Sequence, residues 1–345
     1  MQPYLLAKAY AWRGMLLPRS FIQELAASRT LSEFIDAIKA TPYSQEAQQV
    51  TPPYSALKVE HALRRRLVKI HHRLMTLGRK NYVLSALYTR HIARNFKIII
   101  RTLHAGVKSE ELNRLIDPYA EELIGARDII ARVLGSESVE EALTTIRHYM
   151  ADEELVPIFE KVLDPVAIEV EIDRWHVNKL RQALRKTTRA WRRNLSYLIM
   201  PIYLRFILTS ILRGKLWGLE PKDIGSMING VLDETLRPVV SVVIESTTVE
   251  EVKKAFSVMP KGTIPSTGES NTLTSIIQSL EKGYRGMLLT RAQRCFLRPF
   301  DEPSLALATV FLIEEEVAQL VALAAGIEQG VGPEALLDSL ASITT

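Results

Sequence analysis

The feature that most constrains the fold of this chain is an internal repeat with a period of 112 residues. Three segments read GVKSEEL, GLEPKDI and GVGPEAL and begin, without gaps, at Gly106, Gly218 and Gly330. In each segment a glycine suited to the left-handed position that ends a helix precedes residues suited to begin the next one. Recurrence at a fixed period indicates repetition of one supersecondary unit. The sequence therefore predicts three diverged copies of one helical unit.

Two further markers recur in the same order and support the triplication. One is the capping box, in which a Ser or Thr caps a helix start and a Glu three residues later reaches back. The other is an aliphatic residue followed by Glu, which we expect to precede a helical stretch. The capping-box pairs are Thr30 with Glu33, Ser138 with Glu141 and Thr248 with Glu251, and the aliphatic-Glu pairs are Val59-Glu60, Ile168-Glu169 and Leu280-Glu281.

Helical periodicity dominates the chain, without the sustained alternation of apolar and polar residues that marks strands. A unit of roughly 110 residues has the usual size of a domain. We therefore predict an all-α fold of three homologous helical-bundle domains, residues 1–116, 117–230 and 231–345. The valine-rich segment 238–244 permits a short strand, but its position before the third capping box favours helix. Residues 260–271, rich in Gly, Pro, Ser and Thr, predict an exposed loop.

Charge and cysteine content restrict the partners and the compartment. The 345 residues carry a formal net charge of +5 with a pI near 9.2, which favours an anionic partner without requiring nucleic acid. The single cysteine, Cys295, cannot form an internal disulfide, which indicates an intracellular, reducing environment. We expect Cys295 to be a small packed residue and not a nucleophile.

Two apolar stretches raise the question of a membrane span. Residues 195–212 contain Pro201 and Arg205 near their centre, so a buried helix is favoured over a span. Residues 305–325 contain three consecutive carboxylates, Glu314 to Glu316, which would be costly in lipid. We expect a soluble protein in which these carboxylates lie on a solvated face or in ion pairs, with at most one or two facing the core.

Motifs that carry catalysis or cofactor binding are absent from the sequence. The nearest approach to a phosphate-binding loop, between Gly262 and Gly268, has the wrong spacing and lacks the required lysine. Zinc needs closely spaced Cys and His ligands, and the histidines are scattered. His71 and His72 are adjacent, so on a helix they point about 100° apart and cannot easily share a metal. We expect no catalytic centre, no metal site and no cofactor.

Basic stretches recur at equivalent places in the repeat, each after the aliphatic-Glu marker. A single basic helix face is usually just solvated, but three related faces could present one positive surface to an acidic partner. The third copy is weaker than the first two. The candidate partner-binding residues are Arg64, Arg65, Arg66 and Arg73 in the first copy and Arg181, Arg185, Arg189 and Arg193 in the second.

Four stretches resemble the C subunit of archaeal A-type and bacterial V-type ATP synthases, whose eukaryotic counterpart is the d subunit of vacuolar ATPases. They are YLLAKAYAWRGMLL from Tyr4, NFKIIIRTLHAG from Asn95, IYLRFILTSILRGKLWGLEPKDI from Ile202 and EEEVAQLVALAAGIEQGVGPEAL from Glu314. The resemblance runs end to end. It implies three similar helical domains arranged as a funnel about a pseudo-threefold axis, serving as a rotor piece without chemistry of its own.

The resemblance also implies the partners and the location. It places the chain between the central shaft subunits, of the D and F type, and the proteolipid ring, as a cytoplasmic protein peripheral to the membrane. There it would couple the shaft to proton or sodium translocation, with no nucleic acid and no small-molecule substrate. Two alternatives stay open from the residues alone: a basic helical-repeat protein that binds nucleic acid, and a helical enzyme built on Glu314 to Glu316.

Overall fold

The structure is a computed structural model that describes residues 3–77, 81–107, 109–151, 164–234, 236–260, 262–268, 270–297 and 301–344. Within these ranges the secondary structure is entirely helical, which confirms the predicted all-α class. The helices are α1 (Pro3–Gly14), α2 (Arg19–Leu25), α3 (Leu31–Lys39), α4 (Ser44–Ala47), α5 (Ala56–Leu77), α6 (Tyr82–His104), α7 (Ser109–Leu115), α8 (Tyr119–Leu123), α9 (Arg127–Leu134), α10 (Val139–Met150), α11 (Pro165–Lys186), α12 (Arg189–Leu216), α13 (Pro221–Ile228), α14 (Arg237–Glu245), α15 (Val249–Ser257), α16 (Leu273–Cys295), α17 (Glu302–Glu328) and α18 (Pro333–Thr344).

Two local predictions are settled by these bounds. The valine-rich segment 238–244 lies in α14, which confirms the helical interpretation. The described residues between 262 and 271 form no helix, in agreement with the predicted loop.

Six long helices form a closed ring. Each packs against the next in the order α5, α6, α11, α12, α16 and α17, and α17 packs against α5. In addition α17 contacts α12 and α6, so these three helices lie on the inside of the ring. These inner helices are the three that end at the repeated glycines. The repeat of the sequence is therefore a repeat of helical hairpins around one closed path.

Neighbouring helices in the ring run antiparallel, as the contacts between their ends show. Lys97, late in α6, pairs with Asp173 in the first half of α11, at 2.7 Å. The Glu328 carboxylate, at the end of α17, accepts a hydrogen bond from the backbone N–H of Ala56 at the start of α5, at 3.1 Å. The ring consequently has two distinct ends. We call the end where α5, α11 and α16 finish the hairpin end, and the end where α6, α12 and α17 finish the glycine end.

The three repeated glycines close the inner helices with the same geometry. Gly106, Gly218 and Gly330 have φ angles of +68°, +68° and +70°, in the left-handed region that a side chain makes costly. The N–H groups of the three glycines reach back to carbonyls three residues earlier, at 3.0, 3.0 and 3.1 Å. The next residue's N–H reaches the carbonyl five residues earlier, at 3.1, 3.0 and 2.9 Å. This paired pattern is the Schellman motif, which satisfies carbonyls that the helix end leaves free.

The predicted Thr and Ser caps form at all three places, at the starts of α3, α10 and α15. The full capping box forms at α15, where Glu251 also accepts from the backbone N–H of Thr248 at 3.3 Å. The hydroxyls of Thr30, Ser138 and Thr248 each accept a backbone hydrogen bond at 3.2 Å from the Glu three residues later. In return, the carboxylate of each glutamate accepts a hydrogen bond from the backbone N–H of the residue before the cap, at 2.8, 2.9 and 2.7 Å. Repeated cap chemistry therefore reflects repeated structure.

The cores show how the ring is filled. At the glycine end, one core joins α6, α7, α9, α10 and α11, and a second joins α12 to α16. A further apolar cluster takes residues from all six long helices together with α1 to α4. It runs along the whole of α5 and α17, and the other four long helices join it near the hairpin end. The equivalent residues Val83, Leu195 and Leu307 are all buried in it. The helices thus share one core at the hairpin end and belong to separate cores at the other.

These cores cross the domain boundary that the sequence suggests. Leu112 and Ile116 pack in the same core as Ile130 and Val133, on the other side of position 116. Likewise, α17 is covered by helices from the opposite end of the chain, α1, α3 and α5. The division into 1–116, 117–230 and 231–345 stays a prediction about the sequence repeat.

Helix α12 holds the apolar stretch that raised the membrane question. It is the one described helix long and apolar enough to cross a membrane, and 72% of its apolar window is buried in the protein. This extent of burial is that of a core helix and agrees with the predicted buried helix. Pro201 lies inside this helix and has no N–H to donate to the carbonyl of Tyr197. The guanidinium of Arg291, from α16, donates to that carbonyl at 2.7 Å instead.

We predict that Arg291→Met lowers the free energy of unfolding by about 1–3 kcal/mol, because it leaves the Tyr197 carbonyl unsatisfied. In a Pro201→Ala background the cost should be smaller, since an alanine at that position supplies the missing helical N–H. Urea denaturation of the four proteins in this double-mutant cycle measures the difference. Arg294→Met, an exposed neighbour on α16, is the matched control and should change stability by less than about 0.5 kcal/mol. Equal costs of Arg291→Met in both backgrounds would contradict this account.

Near two of the glycine turns, the inner helix and the helix that follows the turn come unusually close together at a glycine. A side chain at Gly214 would meet Ile224 at 2.8 Å, and one at Gly326 would meet Leu336 at 2.2 Å. These glycines are 112 residues apart, as are Ile224 and Leu336. The helix after each turn therefore folds back closely against the inner helix, and a side chain at either glycine would have to displace Ile224 or Leu336.

We expect Gly214→Ala to be less stable than Gly225→Ala by about 1–3 kcal/mol. Both substitutions gain helix propensity, but only Gly214 lacks room for the added methyl group, since nothing lies within 4 Å of a side chain at Gly225. Thermal and urea unfolding of the two variants provide the comparison. Indistinguishable stabilities would show that Ile224 moves aside without cost.

Candidate functional site

The inner helices are fixed to their neighbours by ion pairs that repeat with the sequence. Arg101 on α6 pairs with Glu169 on α11, with Nη2 to Oε2 at 2.6 Å. Arg213 on α12 pairs with Glu281 on α16 at 2.7 Å. Both members of the second pair lie 112 residues beyond those of the first. These are the glutamates of the aliphatic-Glu marker, which lies inside the long helices, so the expectation that it precedes them is wrong. The aliphatic residue is buried and the Glu faces the next helix.

Helix α6 carries a basic stripe at the spacing of one helix face. Its members are bound to three different helices. Arg90 pairs with Glu314 on α17 at 2.5 Å, and Arg94 pairs with Glu60 on α5 at 2.5 Å. Lys97 and Arg101 pair with α11. Arg90 and Glu314 occupy equivalent positions of the first and third repeats, and Ile202 occupies the second. The stripe therefore ties the inner face of the ring together.

The three consecutive glutamates of α17 take three separate partners. Glu314 pairs with Arg90, and Glu315 pairs with Arg285 on α16 at 2.7 Å. Glu316 is buried, where its carboxylate accepts from the Tyr43 hydroxyl at 2.6 Å and from the backbone N–H of Leu17. Burial raises the pKa of Glu316 to about 7, against the lowering effect of these hydrogen bonds. Two members form the predicted ion pairs, and the third faces the core, holding the N-terminal segment to α17.

A buried group of histidines, which the sequence did not reveal, lies beside Arg90. His71 on α5 approaches the Leu84 carbonyl with Nε2 at 2.9 Å, so Nε2 carries the proton. Its Nδ1 is 3.1 Å from His91 Nε2, and it accepts from that nitrogen because His71 is neutral. His176 on α11 contacts the Thr89 hydroxyl at 2.7 Å. The three side chains come from three helices of the ring, and no sequence spacing connects them.

The protonation of these histidines is opposed by burial and by neighbouring cations. Burial lowers the pKa of His176 to about 3, and the charges of Arg90, Lys97 and Arg205 lower it further. Burial and Arg90 also lower the pKa values of His71 and His91 well below the usual range. The cluster is therefore neutral. Its uncharged rings fill the space between α5, α6 and α11 and form hydrogen bonds there.

The structure separates the predicted basic residues into two groups. Arg64 pairs with Glu60 at 2.6 Å, Arg65 with Asp117 at 2.8 Å and Arg66 with Glu46 at 3.5 Å. Arg181 is half-buried, and its Nε donates to Asn178 at 3.3 Å. These four arginines have contacts inside the protein. A sequence pattern of cations does not show this, because their partners lie on other elements or on the preceding turn.

The second group lies at the hairpin end. Arg185, Arg189 and Arg193 are exposed around the connection between α11 and α12, and Arg73 is exposed near the end of α5. The chain has no acidic residue between Asp173 and Glu220. Arg185 also has an interaction within the protein. The structure thus brings these residues to one end of the ring. Whether they bind a partner stays a prediction.

Chemistry-bearing groups are few among the described residues. No group of three or more His, Cys, Asp or Glu side chains there could hold a metal ion. Cys295 is buried, and burial raises the pKa of its thiol to about 12, which disfavours the reactive thiolate. A groove of about 520 Å³ lies between α1 and the end of α16, lined by Tyr10, Arg13, Gly14, Leu16, Gln293, Leu297 and Leu312. Tyr10 and Arg13 are the ionisable side chains in this lining, which contains no carboxylate and no histidine.

The fold and these contacts define a class: an all-helical protein whose repeated hairpins close into a ring held by packing and ion pairs. The chain belongs to the ATP synthase (C/AC39) subunit family, whose model matches residues 5–338. It is 26% identical over 229 residues to the C subunit of the A-type ATP synthase of Thermococcus kodakarensis. That match covers 66% of this chain and 61% of the relative, so it spans about three fifths of the relative's length.

The histidine cluster generates a prediction about pH. Because the folded-state pKa of His176 lies below its unfolded value, the unfolded chain takes up the proton first, and stability is lost as pH falls from about 6.5 towards 3. Glu316 acts in the opposite sense between about 4.5 and 7, since its folded-state pKa is raised. We therefore predict that the stability difference between the parent and His176→Gln is larger at pH 7.5 than at pH 5. Urea midpoints at both pH values measure it, and a pH-independent difference would show that His176 does not stay neutral in the fold.

Proposed function

We propose that this chain is a non-catalytic central-stalk subunit of a rotary A/V-type ATP synthase. It would couple the D- and F-type shaft subunits to the membrane proteolipid ring and so serve proton or sodium translocation. Family membership gives the class of complex, and the closed ring of helices is the observation that carries the mechanical role. Its location would be cytoplasmic and peripheral to the membrane.

The ring suits the transmission of torque for a physical reason. A force on one helix passes to both of its neighbours, since the six long helices close on each other. Close-packed cores deform little because they contain few voids. The repeated ion pairs, Arg101 with Glu169 and Arg213 with Glu281, resist sliding of one helix along the next. A rotor piece needs these properties and needs no reactive group.

The distribution of cores supports an orientation for the shaft. The hairpin end is filled by a core shared by six helices, whereas the helices of the glycine end belong to separate cores. A funnel with pseudo-threefold symmetry would therefore be closed at the hairpin end and open at the glycine end. The shaft would enter at the glycine end.

Binding of nucleic acid is the second candidate that the sequence raised. Affinity for a phosphate backbone depends on cations that are able to neutralise phosphates. Arg64, Arg65 and Arg66 already pair with carboxylates, which reduces the charge that they could offer. The structure contributes no observation in favour of this function.

The proposal is tested by tagging the chain in its own cell and purifying it from mildly solubilised membranes. We expect the shaft subunits and the proteolipid to copurify with it. Depleting the chain should leave ATP hydrolysis by the soluble head intact while abolishing ATP-driven ion transport in membrane vesicles. Copurification with RNA or DNA and without ATPase subunits, or ion transport that persists on depletion, would refute the proposal.

A further inference from the structure

The hairpin end combines exposed cations with exposed apolar side chains. Arg189 and Arg193 are exposed at the start of α12, and Arg294 is exposed near the end of α16. Leu297 follows α16 and is 76% exposed, the largest exposure of any described large apolar side chain. The Asn194 side chain donates to Asp301 at 2.8 Å, which brings the start of α12 next to the connection between α16 and α17. The cations and Leu297 therefore belong to one surface.

The groove between α1 and the end of α16 opens beside this surface. The rings of Tyr10 and Phe296 pack edge-to-face with their centroids 5.3 Å apart. The Cζ atom of the Arg13 guanidinium lies 4.7 Å from the centroid of the Phe296 ring. Leu297 and Leu312 line the groove with Tyr10, so its walls are mainly apolar, and Arg13 is the cation on its wall. An apolar groove next to a cation fits a ligand with an apolar chain and a negative head.

The carboxylates near this surface do little to neutralise it. Asp301 is half-buried, where it caps α17 by accepting from the Ser304 N–H at 2.9 Å and binds Asn194 with its other oxygen. Glu302 is half-buried and also has a partner. The exposed residues of the surface therefore keep a net positive charge.

We infer that the hairpin end is a binding surface for an anionic phospholipid bilayer, with Leu297 entering the interface and the α1–α16 groove seating an apolar portion of a lipid. Clustered cations gain about 1 kcal/mol each near an anionic leaflet, and stable peripheral binding requires an apolar contact in addition to charge. An acidic protein segment would be attracted by the cations but would not require an exposed leucine beside them. The apolar component is the reason for choosing the bilayer.

The inferred lipid binding is argued from the residues of the hairpin end alone. The idea that lipid binding orients the subunit rests on the proposed function. With the hairpin end against the membrane, the glycine end would face the shaft. Lipid contact would then hold the closed end of the ring at the bilayer surface around the proteolipid ring.

The test is co-sedimentation of the purified full chain with vesicles of phosphatidylcholine, alone or mixed with phosphatidylglycerol at about 7:3, at low and high salt. We expect binding to the anionic vesicles only, weakened by salt. The double variant Arg189→Glu/Arg193→Glu should bind the anionic vesicles at least roughly 25-fold more weakly, because the loss of each cation should cost about fivefold in affinity. Leu297→Ser should weaken it by about tenfold without changing the dependence on salt.

Matched controls on other surfaces separate this site from general charge and apolarity. Lys222→Glu/Lys254→Glu makes the same charge change on α13 and α15, and Val258→Ser replaces a side chain that is 69% exposed elsewhere. Both controls should bind vesicles like the parent, and circular dichroism should show all variants folded.

Three results would overturn the inference: no binding to anionic vesicles, equal binding to neutral ones, or equal losses in the controls. Binding to polyglutamate in place of vesicles, unaffected by Leu297→Ser, would assign the surface to an acidic protein segment instead. None of these outcomes depends on copurification with the ATPase, so the two proposals can fail separately.

Discussion

The packing of α17 against the N-terminal helices is the contact on which the rest of the structure depends. Of the 27 residues of α17, 18 are buried, so this helix is a core element on nearly all sides. It lies against α5 and α1 and thereby joins the last repeat to the first. Without this contact the hairpins would form an open row. With it, every long helix has two neighbours in the ring, and the three repeats become one body.

The ring is symmetric in its backbone and asymmetric in its polar contacts. The glycine turns and the Thr or Ser helix caps recur three times with nearly the same geometry, because each serves a backbone requirement that every copy shares. At the inner position occupied by Arg90, Ile202 and Glu314, the copies instead carry a cation, an apolar residue and a carboxylate. The cation and carboxylate pair at 2.5 Å, so α6 and α17 are joined there in one specific register. Arg90 and Glu314 are both half-buried, and a specific polar pair between packed helices can fix such a register.

Much of the fold could be predicted from the sequence because repetition amplifies weak local signals. One Gly-stop or one capping box means little, whereas three of each in one order indicate a triplicated helical unit. The closing of the ring could not be predicted in this way, since no local pattern shows that α17 packs on α5. The histidine cluster was missed for the same reason: His71, His91 and His176 come together from three helices. The basic stretches were only partly informative, because the carboxylates that pair with Arg65 and Arg66 lie on other elements.

If the six long helices behave as a single closed mechanical body, they should open together. Native-state hydrogen exchange of the full chain tests it most directly, since it reports the opening free energy of each helix separately. We expect the slowest amides of α6, α12 and α17 to exchange together, through one common opening that also exposes α5. Exchange of α17 through a separate opening of much lower free energy, with α6 and α12 still protected, would contradict it.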